Sequence, residues 1–184
     1  MKHLLTVLYA LPVLAQSSDK AQLLTQHQAA EIRRQSPPVD DPTLTTYAAN
    51  LLRRLKANTP VELVHSDSPR PTALPGGPVF LPLSLLLKAK DEAELATAIA
   101  HALGHAAAPL SISNDRGLSI IVPDPHGILP KALQPRLAEA EAAADRFAAD
   151  LVRPATLDPE AFRAAQDAAR ALFPPKPAPT LQRR

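Results

Sequence analysis

Residues 91–107 constrain this chain more than any other stretch. Asp91 stands where a helix cap belongs, and Glu94 follows three residues on. That is the capping-box spacing, with aspartate in place of serine or threonine. Leu95, Ile99, Ala102, Leu103 and Ala106 then recur in steps of three and four, which predicts a helix with one buried stripe closed by Pro109. His101 and His105 are four apart and share the face opposite Leu95 and Ile99. Two histidines so spaced can clamp one zinc ion. As an isolated pair they read more readily as solvent-facing helix residues, so the rest of the chain has to decide.

Around this helix the pattern predicts an α+β chain, mostly helical, with a small sheet beside the histidine helix. Leu23, Leu24, Ala29 and Ile32 predict a helix over 19–36, stopped by Pro37-Pro38. Asp40-Asp41-Pro42 starts another, with the stripe Leu44, Tyr47, Leu51, Leu52, Leu55. Val61 to His65 alternates as a strand. Thr72 to Leu81 reads as strand, glycine turn and strand, a hairpin-like edge. Leu83 to Leu87 opens a short helix. Residues 110–131 read as loop with one strand over 118–122. Leu137, Ala140, Ala144, Phe147 and Leu151 predict a helix over 131–152, and Asp158 caps a last helix over 159–172.

Composition excludes several classes. The length of 184 residues favours a single domain with a real core. A formal charge of +2 and 3% aromatic residues argue against nucleic-acid binding. With no cysteine, thiolate zinc sites, disulfides, cysteine nucleophiles and lipoprotein anchors are excluded, so any metal must use His, Asp or Glu. Leu4 to Ala15 is an apolar run too short to span a bilayer, and it follows Lys2 and His3. It reads as a signal peptide over 1–15, cleaved after Ala15, which predicts export to a periplasm or the outside with no membrane span afterwards. A folded domain over 16–172 and a flexible proline-rich tail over 173–184 complete the expected organisation.

The run from Asp91 to His105 resembles the active-site helix of metallopeptidase family forty-eight, which includes the HtpX-, Oma- and BepA-like zinc peptidases. Four further blocks, in order, resemble the same family. Asp41-Pro42 to Leu55 is similar to its early helix. Ala73-Leu74-Pro75-Gly76-Gly77-Pro78-Val79-Phe80 is similar to the edge strand that pairs with peptide substrate. Asp145-Arg146-Phe147-Ala148 is similar to the segment that supplies the third zinc ligand, and Leu157 to Phe162 matches the usual next helix start. The resemblance implies a zincin-like fold over roughly residues 24–172. It also implies metal binding by His101 and His105, and peptide contacts at Leu74, Pro75, Gly76, Gly77, Val79 and Phe80.

The departures fall on the chemistry. His-Ala-Leu-Gly-His stands where the family has His-Glu-x-x-His, so Ala102 occupies the general-base position. Ala143 occupies the third-ligand position. A positioned general base is worth about 10²–10⁴-fold in rate, and a catalytic zinc normally has three protein ligands. Weak or no zinc binding is therefore expected. Glu139, one turn before Ala143, is the best substitute ligand; Glu141 is expected to point away. Asp124 and His126 are loop candidates, Glu94 a cap, His65 structural, and Asp145 a helix–helix hydrogen-bonding residue. Three readings follow. The chain is a secreted pseudopeptidase that binds extended peptides or unfolded, exported proteins without cleaving them. Alternatively it is an active zinc peptidase using a ligand such as Glu139, or a structural remnant without ligand.

Overall fold

The computed structural model describes residues 11–108, 110–113, 119–122 and 134–172, with side chains over 19–108 and 135–172. It is α+β and mostly helical. The elements run α1 (Leu11–Gln35), α2 (Pro42–Arg54), β1 (Val61–Val64), β2 (Thr72–Ala73), β3 (Val79–Pro82), α3 (Leu83–Lys88), α4 (Glu92–Ala107), β4 (Leu110–Ser113), β5 (Ser119–Val122), α5 (Gln134–Val152) and α6 (Pro159–Leu172). Helix α1 extends back to Leu11, through the position after Ala15 expected for cleavage. No helix among the described residues is long and apolar enough to cross a membrane. The tail 173–184 and the loop residues Asp124 and His126 lie outside the described residues.

Local chemistry sets the boundaries. The Asp41 carboxylate accepts from the Leu44 N–H at 2.9 Å, and Pro42 fills the first helical position, where its missing N–H costs nothing. At the other end of α2, Lys56 takes a left-handed φ of 56°, and Lys56 and Ala57 return their N–H groups to Arg53 and Leu52. Between β2 and β3, Pro75 and Gly76 occupy the two central positions of a tight turn. The Gly77 N–H donates to the Leu74 carbonyl at 2.9 Å, and Gly76 supplies the positive φ of 64° that a type II turn needs.

The hairpin is therefore real, but its second strand is not an edge. The three-stranded sheet has the order β1-β3-β2, with β1 parallel and β2 antiparallel to β3. Val79 and Phe80 sit in the middle strand, buried, with both ladders occupied. The outer strand of the hairpin is the two-residue β2. A second strand pair, β4 with β5, joins residues 110–113 to 119–122. The first of these was expected to be loop.

Successive residues of β3 point to opposite faces. Val79 and Leu81 join the main core with the stripe of α2, Leu95 and Ile99 of α4, and Phe162, Ala165 and Ala169 of α6. Phe80 joins Ala29, Val64 and Leu74 beneath α1. At the junction of three helices the buried Glu92 carboxylate accepts from the Tyr47 hydroxyl at 2.9 Å, from Arg54, and from the Asp158 N–H that precedes α6. Gln166 donates to the carbonyls of Leu86 and Ala89, both at 2.9 Å, which satisfies buried carbonyls at the C-terminal end of α3.

Candidate metal centre

Helix α4 forms as its sequence dictates. The Asp91 carboxylate accepts from the Glu94 N–H at 2.8 Å, and the Glu94 carboxylate reaches back to the Lys90 N–H at 3.0 Å. Leu95, Ala96 and Ile99 are buried, which fixes the rotation of the helix and presents His101 and His105 to α5. Glu94 is spent as a cap, as expected. His65 lies just past β1, where its N–H donates to the Pro37 carbonyl at 2.8 Å.

The side chain that α5 brings to the histidines is Glu141. Its Oε2 lies 3.3 Å from His101 Nε2, its Oε1 lies 3.5 Å from His105 Nε2, and the two Nε2 atoms are 3.0 Å apart. Two ligand atoms about 2.0–2.1 Å from a tetrahedral metal stand roughly 3.3–3.4 Å from each other. The observed separations of 3.0–3.5 Å, which run to both Glu141 oxygens, are close to that spacing. These three residues form a group that could hold a metal ion.

Two further observations test the fit. The Glu141 Oε1 atom is buried and accepts no hydrogen bond. An orphaned carboxylate oxygen is costly unless a cation or a donor meets it. Behind the site, His101 Nδ1 lies 3.0 Å from Asp145 Oδ1. An imidazole that donates from Nδ1 to a carboxylate keeps its Nε2 lone pair for a metal, the usual arrangement around a ligating histidine. The residues present therefore fit a divalent cation with two nitrogen ligands and one carboxylate ligand.

The expected substitute, Glu139, is not in this group. It is exposed, and it lies two residues, or about 200°, around α5 from Glu141. The expectation took Glu139 from the polar face that it shares with Arg136 and Arg146, one turn before Ala143. The face that meets α4 instead carries Glu141, Ala144, Asp145 and Ala148, with Ala144 and Ala148 buried. Ala143 is half-buried and has nothing to donate. Asp145 does bond across the two helices as expected, and its partner is the metal-site histidine itself. A signal for Glu141 was present in the sequence: Glu141 and Asp145 repeat the four-residue spacing of His101 and His105.

Ala102 is buried, packed into the main core. Among the described residues, no carboxylate besides Glu141 joins the two histidines in a metal-binding group. The hairpin residues divide. Leu74, Gly76 and Gly77 line a groove of about 400 Å³ with Leu103, Ala106, Phe147 and Leu151. Leu103 follows His101 by about 200° of helix, so this groove opens on the side of α4 turned away from the histidines. Pro75 accepts from the Thr25 hydroxyl of α1 at 2.9 Å. Val79 and Phe80 are interior and are corrected from peptide contacts to core.

No protein-family model matches the chain, and no curated protein matches it significantly.

Proposed function

We propose that this chain is a zinc-holding, non-hydrolytic relative in design of the metallopeptidases, a module that binds extended peptide or unfolded protein without cutting it. The observation that carries the reading is the triangle of His101, His105 and Glu141 with the Asp145 carboxylate behind it. His101 and His105 through Nε2, and Glu141 through its carboxylate, would hold the ion. Zinc in such a site supplies Lewis acidity and an acidified water.

The chain's own residues supply less than a peptidase requires. Asp145 orients His101. Ala102 has no proton acceptor to offer at the position where the family pattern has glutamate. Hydrolysis at useful rates needs that base, worth about 10²–10⁴-fold. The outer strand β2 packs beside α4 and, among the described residues, is paired on one side, which supports strand addition by an extended segment. Export, expected from residues 1–15, belongs to the same proposal.

Metal analysis of the purified protein tests the reading. One zinc per chain is expected, with loss on His101→Ala, His105→Ala or Glu141→Ala and retention on Glu139→Ala. Unfolded casein should remain uncut. EDTA-sensitive cleavage by the parent chain would replace this reading with an active peptidase whose third ligand is Glu141.

A further inference from the structure

The geometry points to Gly104 as a positioning residue: its missing side chain sets the helix spacing at which Glu141 reaches His101 and His105. The inference rests on the metal-site reading above and adds a residue that touches no ligand atom. A Cβ built at Gly104 would lie 2.8 Å from Ala144 Cα, 3.1 Å from the Ala144 carbonyl oxygen and 3.2 Å from Ala144 Cβ. The first two obstacles are backbone, so no side-chain rotation relieves them. Ordinary contact begins near 3.4 Å, so α5 would have to withdraw by about 0.6 Å. Metal–ligand distances tolerate about 0.2 Å.

The contact is also central to the site. Gly104 stands three residues after His101 and one before His105. Ala144 stands three after Glu141 and one before Asp145. Residues three and four apart share a helical face, so the Gly104–Ala144 contact is the pivot on which all four polar groups meet. Widening it separates Glu141 and Asp145 from the histidines while leaving the histidine pair intact on α4.

The test is a double-mutant cycle on zinc affinity, measured by competition with a chromophoric chelator. Gly104→Ala is expected to weaken zinc binding by about 10–100-fold, the range seen when a supporting contact around a ligand is lost. In a Glu141→Gln, Asp145→Asn background the same change should have little further effect, because its action runs through those two carboxylates. Equal losses in both backgrounds, or no loss in either, would overturn the proposal. Where Gly104→Ala does not fold, judged by circular dichroism, Ala144→Ser widens the same seam less and should weaken binding in the same direction. A metal-free readout separates this inference from the zinc reading. Nitrogen-15 couplings of the His101 ring should show the proton fixed on Nδ1 in the parent and distributed over both nitrogens in Gly104→Ala. If the parent binds no zinc, the zinc reading fails and the ring tautomer alone decides whether Gly104 sets the spacing. An unchanged tautomer in the variant would sink it.

Discussion

Glu92 shows how much one residue can tie together. Its carboxylate is buried and joins α2, the start of α4 and the start of α6 through Tyr47, Arg54 and Asp158. Removing one partner of a buried pair costs about 3–5 kcal/mol, so Glu92→Ala should lower the urea midpoint markedly without touching the histidine pair. Tyr47 adds a pH dependence. Burial first, and the hydrogen bond to Glu92 second, push its phenol well above the ordinary tyrosine value. A group whose pKa is raised on folding contributes stability that is complete below its unfolded value and is lost as pH rises beyond it. The fold should therefore weaken above about pH 10, the unfolded tyrosine value. Tyr47→Phe should be less stable at pH 8 yet show a shallower loss between pH 10 and 12, read from urea midpoints.

At the scale of elements, Lys56 ends α2 in a conformation that costs a side-chain-bearing residue about 1–2 kcal/mol. Lys56→Gly should therefore raise the melting temperature, and Lys56→Pro should abolish the cap. Helices α4 and α5 meet through Gly104, Ala144 and Ala148, small residues that allow close approach. Periodicity located both helices well, because burial of Leu95 and Ile99 enforces it. On α5 the stripe rightly included Ala144, which is buried, but also Phe147, which is exposed. The ligand was sought from Ala143, a position that only the family resemblance supplied, and one turn before Ala143 stands Glu139. Glu141 stands one turn before the inward-facing Ala144 and Asp145.

For the whole molecule, a metal shared by α4 and α5 would couple two helices separated by residues 108–133. A ligand that binds only the folded state at 100 times its dissociation constant stabilises by about 2.7 kcal/mol. For a chain of this size that is roughly 5–10 °C in melting temperature. Zinc in that excess should produce such a rise, EDTA should reverse it, and Glu141→Ala should remove it. The rise should also shrink in acid, because histidine and carboxylate ligands bind metal only when deprotonated.

The sequence by itself determined the helices, their caps, the glycine turn and the pairing of His101 with His105. Each is specified by residues within a few positions of one another, through hydrogen bonds and dihedral preferences that do not depend on distant contacts. Tertiary structure decided the rest. It placed β3 between β1 and β2, so that Val79 and Phe80 became core. It also rotated α5 to put Glu141 and Asp145 against the histidines. Strand order and helix rotation depend on how surfaces some forty residues apart fit together. Here a single hydrogen atom at Gly104, where any other residue carries a side chain, sets how closely α4 and α5 fit.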